Sequence, residues 1–468
     1  MRLLYFIIAF LLSGSLRAQP LAERLKNAWE RFESDSQLRA GIASLYIVES
    51  ASGSEVFARN GRVGLAPASS QKVVTAATAY DLLGPDFRYS TRFAAIPSAR
   101  KDSASTLLIL GSGDPSLGSW RYESQKMDSV YGRVARAARD AGWRYFGNTT
   151  SVQGRWDVSI IPRGWIWEDI GQYYGAGADV FNWHENQFDL QVTAGSAPGA
   201  PVQPDIAGAD PFPMVRLDVQ ATTSAAGTGD NSYFFYDLFG RNRNQFLPII
   251  LRGSLGAGKK YTVSGSIPDP LTTFLVGLQH SMSRKNVSID IPFAAIRAYS
   301  DTSKMRTFHT EQSPTLDQLS YWFLRKSINL YGEAFLKTIA LRQKGKGDYE
   351  IGIGVMKDFW KARGIDPAEL AIRDGSGLSP ENRVTTRALV QVLQYARKQS
   401  WFFGFYNALP EYNGMKLKSG TIGGVKAYCG YHTSKAGVTY TVSFIVNNYN
   451  GSEREIVQKM YAVLNELK

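Results

Sequence analysis

The chain has 468 residues, 44% of them apolar and 20% charged, with 10 Trp, 24 Tyr and 24 Phe. This composition excludes disorder over most of the length and allows two to four domains at about 150 residues each. The net charge of +12 suits a partner rich in anions, but the basic residues are dispersed, with one short cluster at 342–346. Neither a zinc-finger spacing nor an aromatic-basic motif accompanies them, so nucleic acid is not an expected partner. A single cysteine, Cys429, excludes an internal disulfide. It lies in an apolar alternating run and reads as a buried structural thiol. The four histidines, His184, His280, His309 and His432, lack ligand spacing, so neither a metal site nor a cofactor is expected.

In chain order, Arg2 precedes an apolar run, Leu3 to Leu12, broken by Ser13-Gly14-Ser15. This reads as a secretory signal over 1–18 that ends at Ala18, and places the protein outside the cytoplasm, in the periplasm or cell envelope. The run is about half the ~20 apolar residues a membrane span needs, so no integral anchor is expected. Leu21 to Phe32 has helical periodicity. Ala43 to Val48 and Glu55 to Ala58 read as strands joined at Ser52-Gly53. Ala66-Pro67 breaks the chain before Ser69-Ser70-Gln71-Lys72, and an Ala- and Val-rich helix follows over Lys72 to Leu83, ending at Gly84-Pro85.

From about 89 to 298 the composition changes. Leu107 to Leu110 reads as a buried strand, Val130 to Ala141 as a helix, and Ser151 to Asp157 as extended. A Gly-, Pro- and Thr-rich β-patterned module is nested at about 192–263, and Pro270 to Ser283 reads as a helix. Past 298 helical character returns, over Leu316 to Phe323, Tyr331 to Arg342, Ile353 to Arg363 and Thr386 to Arg397. Three strands follow, over Met415 to Ser419, Lys426 to Thr433 and Val438 to Val446, and a helix from Glu453 closes the chain. The expected fold class is α+β. An antiparallel sheet flanked by helices is built by the two ends of the chain, 19–88 and 299–468, around an inserted region, 89–298.

Three motifs carry chemistry. Serine at a helix start with lysine three residues on puts both side chains on one face, so the Lys72 amine reaches the Ser69 hydroxyl. Such a lysine acts as a base when burial or a second cation lowers its pKa, and Lys418 is the candidate cation. In Ser327-Ile328-Asn329 the hydroxyl can relay a proton to a leaving amine, and the asparagine can hold a substrate amide or the lysine. In Lys418-Ser419-Gly420-Thr421, at the end of a strand, the lysine and the hydroxyls can hold a carboxylate while glycine leaves room. The Ser69 and Thr421 N–H groups can form an oxyanion hole. Alone, each motif has an ordinary reading: a surface helix N-cap, a connecting turn, a solvent-facing lysine. A second S-x-x-K, Ser98-Ala99-Arg100-Lys101, sits in a polar loop with no apolar helix behind it.

In this order, S-x-x-K, S-x-N and K-[ST]-G form the ordered signature of penicillin-binding proteins and serine β-lactamases. Ser327 comes 258 positions after Ser69, more than the simple enzymes use. That gap resembles the class C low-molecular-mass penicillin-binding proteins, the D-alanyl-D-alanine carboxypeptidase/endopeptidase family. The resemblance extends to Pro67-Ala68-Ser69, Leu83-Gly84-Pro85-Asp86-Phe87-Arg88, Gly113-Asp114-Pro115 and Asp374-Gly375-Ser376-Gly377-Leu378-Ser379. Ile328 stands where the family often has Asp, and Ser419 where Thr is common.

The resemblance implies a penicillin-binding, β-lactamase-like domain with a large insertion, acting on peptidoglycan stem peptides and acylated by β-lactams. It implies that Ser69 attacks the penultimate D-alanine, Lys72 takes its proton and Ser327 serves the leaving amine. Asn329 then positions the peptide and Lys72, and Lys418, Ser419, Gly420 and Thr421 form the carboxylate side. Asp169, in Trp165-Ile166-Trp167-Glu168-Asp169, loosely matches an acidic residue that selects the amine end of the stem peptide, and reads equally as a solvated loop acid. Two other readings use the same fold: a β-lactamase, and a non-catalytic wall-binding scaffold.

Overall fold

The computed structural model describes residues 19–205, 216–237, 248–291, 296–298 and 303–468. The expected signal, 1–18, lies outside them. Among the described residues no helix is long and apolar enough to cross a membrane.

The two ends of the chain build one antiparallel sheet of six strands. Its order is Glu411–Tyr412, Met415–Ile422, Val425–Thr433, Thr439–Asn447, Ile42–Glu49 and Glu55–Arg59. The join between the ends is long: Ile42–Glu49 pairs residue for residue with Thr439–Asn447. Side chains alternate across the sheet. Leu45, Ile47, Leu417, Tyr428, Val442 and Phe444 face helices Leu21–Glu33 and Glu453–Leu464. Ala427, Cys429, Tyr431 and Ile445 face a helical layer containing Lys72–Leu83, Leu316–Arg325, Asn329–Lys344, Tyr349–Lys361 and Thr386–Ala396. Helix Lys72–Leu83 is buried all round from Lys72 to Tyr80, which its alanines and valines permit.

The intervening region has its own sheet, in which Ser90–Pro97 and Ser103–Leu110 pair antiparallel beneath helices Met127–Asp140 and Pro270–Ser283. The boundary expected at 298/299 falls ahead of a further strand. Arg306–Gln312 pairs antiparallel with Ser90–Pro97, so the helical part begins at Leu316. That strand is mostly polar and half exposed, without the apolar alternation that marks a strand. The extended stretch expected over 151–157 is a strand only to Val152, after which the chain turns. Strands between Gln187 and Ser266 form two smaller sheets that share one core around Phe188, Val192, Phe234, Leu251 and Val263. This unit clamps the segment before it: Gln172 Nε2 donates to the Phe234 carbonyl at 2.9 Å, and Ser266 Oγ to that of Ile170 at 2.5 Å.

Candidate active site

Pro67 ends an irregular stretch, and Ala68 follows with φ +46°, a left-handed conformation that a residue with a Cβ seldom adopts. Ala68–Gln71 then forms one turn of 3₁₀ helix that runs directly into helix Lys72–Leu83. In a 3₁₀ turn residues i and i+3 eclipse, which stacks Lys72 over Ser69. The Lys72 Nζ is 2.8 Å from Ser69 Oγ, 2.6 Å from Asn329 Oδ1 and 2.8 Å from the Ser376 carbonyl oxygen. Lys72 is fully buried, and burial followed by the charge of Lys418 lowers its pKa well below the ordinary lysine value. A neutral amine has two N–H bonds and one lone pair. The two carbonyl oxygens of Asn329 and Ser376 take the N–H bonds, so the lone pair is left for the Ser69 proton.

Ser327 ends the connection between helices Leu316–Arg325 and Asn329–Lys344, and has φ +58°. Its hydroxyl is buried without a partner among the described residues and borders the cleft. Asn329 opens its helix two residues earlier than periodicity places it, and its Nδ2 donates to the Tyr174 carbonyl at 2.8 Å. The expected residues therefore meet. Ser69, Ser327, Asn329, Thr421 and Asp169 line one cleft of about 500 Å3, with Tyr173 and Tyr174 in the clamped segment as part of its wall. Burial pushes the Asp169 carboxyl up, and Tyr174 donates to it at 3.2 Å.

The strand Met415–Ile422 brings the third motif alongside. Alternation turns Lys418 toward the helical layer, where it is 1% exposed opposite Cys429, and burial pushes its pKa down to about 7. The same alternation turns Ser419 and Thr421 to the other face, and Thr421 lines the cleft. Ser419 Oγ donates to the Tyr412 hydroxyl at 3.1 Å, and Thr421 Oγ1 accepts from Lys426 Nζ at 2.8 Å. Gly420 acts by close approach: a Cβ there would lie 2.6 Å from the Pro67 carbonyl oxygen and 2.9 Å from the Ser69 nitrogen. Ile422 and Val425 close the hairpin over Gly423-Gly424, so Thr421 occupies a non-hydrogen-bonded register and its N–H points out of the sheet edge toward the cleft. The Ser69 N–H, in the first turn of its helix, has no intrahelical acceptor.

Sequence reasoning missed the support beneath these groups. The buried Asp374 carboxylate accepts from Gly377 N at 2.7 Å and Asn382 Nδ2 at 3.0 Å through one oxygen. Through the other it accepts from Ser379 N at 2.7 Å and Trp165 Nε1 at 2.9 Å. This fixes the loop that presents the Ser376 carbonyl to Lys72. Glu333, fully buried near Lys72, accepts from Gly375 N at 2.9 Å, and burial pushes its pKa to about 8. The Asp374–Ser379 turn was visible as a tight loop, but Trp165, which donates to Asp374, and Glu333, which accepts from Gly375, come from distant parts of the chain. Cys429 is the buried thiol expected, its pKa pushed up to about 12 by burial, with Sγ 3.6 Å from the Ser70 carbonyl oxygen.

The sequence pattern of the D-Ala-D-Ala carboxypeptidase 3 (S13) family matches residues 25–411. A D-alanyl-D-alanine carboxypeptidase of Actinomadura sp. (strain R39) is 27% identical over 460 residues, covering 92% of this chain and 82% of that protein. A penicillin-sensitive carboxypeptidase A of Dictyostelium discoideum is 24% identical over 372 residues, covering 75% of this chain and 68% of that protein. The crystal structure of penicillin binding protein 4 from Haemophilus influenzae superposes with a TM-score of 0.77 at 17% identity, covering 94% of this chain and 98% of that one; this likeness concerns the fold. Since the family pattern spans well over half of its length, the chain belongs to the D-Ala-D-Ala carboxypeptidase 3 (S13) family.

Proposed function

We propose that the protein is a serine DD-peptidase of peptidoglycan that removes terminal D-alanine or cleaves D-alanyl cross-links from stem peptides. The observation that carries this reading is the buried Lys72 amine, held by the Asn329 and Ser376 carbonyl oxygens 2.8 Å from the Ser69 hydroxyl, with burial lowering its pKa well below the ordinary lysine value. Lys72 takes the Ser69 proton as Oγ bonds to the carbonyl carbon of the penultimate D-alanine. The N–H groups of Ser69 and Thr421 stabilise the oxyanion. The amide C–N bond then breaks, and the proton passes through the unpartnered Ser327 hydroxyl to the departing nitrogen. Asn329 holds Lys72 and the peptide, and Lys418 supplies positive charge for the terminal carboxylate. Water hydrolyses the resulting ester with Lys72 again as base. Asp169, beside Tyr174 on the Asn329 side of the cleft, meets the amine end of the stem peptide.

In this reading residues 19–88 and those from about 313 onward form the catalytic domain, and the stretch between forms the insertion that walls the cleft. The substrate and the signal pattern support a location in the periplasm or cell envelope. β-Lactams acylate Ser69 and leave slowly. The test is the intact mass of the protein after incubation with penicillin, beside Ser69→Ala. A lasting adduct on the wild type that the variant lacks is expected. A folded wild type without an adduct overturns the reading, and rapid penicillin turnover points to a β-lactamase instead.

A further inference from the structure

Two cations of the cleft, Arg121 and Lys326, take no part in the proton transfers. Lys326 is exposed at the C-terminal cap of helix Leu316–Arg325, immediately before Ser327, and has no ion-pair partner among the described residues. Arg121 is built in. Its Nε donates to both oxygens of Glu185, at 2.9 and 3.1 Å. Glu185 is 3% exposed and is itself fixed by Ser119 Oγ at 2.7 Å and the Tyr331 hydroxyl at 2.8 Å. The guanidinium lies between the rings of Trp120 and Trp322, 5.0 and 5.2 Å from their centroids. Its two terminal nitrogens have no acceptor among the described residues, although they belong to a rigid fork suited to a carboxylate. Two cations stand against one carboxylate, so this end of the cleft is net positive, whereas the Asn329 side carries Asp169.

We propose that Arg121 and Lys326 form a subsite for a carboxylate carried by the leaving part of a cross-linked stem peptide. The inference rests on the DD-peptidase reading above. Ser327 serves the departing nitrogen; Lys326 directly precedes it in the chain, and Arg121 lines the same cleft. When the leaving group is free D-alanine, its one carboxylate belongs to Lys418 and nothing extends further. When the bond is a cross-link, the departing amine belongs to a neighbouring stem peptide, whose further carboxylates reach past Ser327. The subsite thus selects cross-link cleavage through the charge of the leaving peptide.

The test uses the full protein and two synthetic D-alanyl cross-linked dimers that differ only in the leaving stem, which carries its carboxylate free or amidated. The readout is the ratio of kcat/KM for the two dimers, which a merely structural role does not move. The wild type is expected to favour the free form by about tenfold, the scale of a charge-assisted hydrogen bond. Lys326→Glu, a surface change, is expected to bring the ratio to about one or below. Arg121→Lys keeps a cation against Glu185 but loses the fork, and is expected to lower the ratio as well. An equal ratio in wild type and both variants, with all three still acylated by penicillin, overturns the subsite and leaves the DD-peptidase reading standing. A wild type that takes no adduct and cleaves neither dimer overturns that reading, and the subsite with it.

Discussion

Replacing Gly420 with alanine separates catalysis from folding. The added Cβ would stand 2.6 Å from the Pro67 carbonyl oxygen, 2.8 Å from the Ser70 nitrogen and 2.9 Å from the Ser69 nitrogen, all backbone atoms. Ordinary contact begins near 3.4 Å, so the strand and the nucleophile turn must part by up to about 0.8 Å. The turn cannot yield by rotating a side chain. Behind it the Ala68 carbonyl is pressed against Gly377, where a Cβ would come within 2.0 Å. The displacement therefore falls on the gap between the Ser69 and Thr421 N–H groups and on the distance from Ser69 to Lys418. A misplacement near 1 Å, or one lost oxyanion donor, costs about 10²-fold in rate. Overpacking costs about 1–3 kcal/mol, small enough for the sheet to survive. The assay is the second-order rate of penicillin adduct formation by intact mass, paired with thermal melting by circular dichroism. Gly420→Ala should melt as a folded protein and acylate about 100 times more slowly. A folded variant that acylates at the wild-type rate would refute the close-approach argument.

Three other outcomes follow from the same geometry. Acylation needs Lys72 without its proton, which burial makes it lose well below the ordinary lysine range, and should fall near pH 7 as the Lys418 ammonium is lost. In Lys418→Arg the cation persists, so the alkaline fall should vanish from the rate–pH profile; an unchanged fall assigns it to another group. Removing the Asp374 carboxylate takes an acceptor from five donors. Asp374→Ala should therefore lose at least about 3 kcal/mol in urea unfolding and slow acylation through the Ser376 carbonyl. Glu333 is raised to about 8 in the fold, so between its ordinary 4.5 and 8 the native state holds a proton that the unfolded chain has released. Stability from this group accordingly falls as pH rises through that window. Glu333→Gln should flatten the difference in Tm between pH 5 and pH 8; an unaltered difference shows that the slope arises elsewhere.

What could be read in the sequence was what local chemistry dictates. Helices Lys72–Leu83 and Pro270–Ser283 begin and end where periodicity and the Gly-Pro and Asp-Pro boundaries place them. The three C-terminal strands were visible as alternating runs parted by glycine turns. The S-x-x-K decoy at Ser98 lies, as its polar surroundings suggested, between strands Ser90–Pro97 and Ser103–Leu110. Strand Arg306–Gln312 was hidden because its pairing with Ser90–Pro97, not its own pattern, makes it a strand. That Ser419 and Thr421 lie on the face opposite Lys418 follows from period two, but their partners Tyr412 and Lys426 carry no signal in the motif. Arg121, Glu185 and Trp322 come from separate segments and carry no motif, so only the folded chain brings them together.

The pairing of Ile42–Glu49 with Thr439–Asn447 has a consequence for the timing of activity. The turn bearing Ser69 is synthesised early, yet the strand bearing Lys418 can be seated only when the hairpin after it has been made and has met the first strands. Non-local pairing of this span forms late, since loop closure must precede the contacts that reward it. A partly synthesised chain therefore carries Ser69 without the strand that completes its surroundings. A truncation before Thr439 removes the central sheet pairing, and on the proposed mechanism the activity with it.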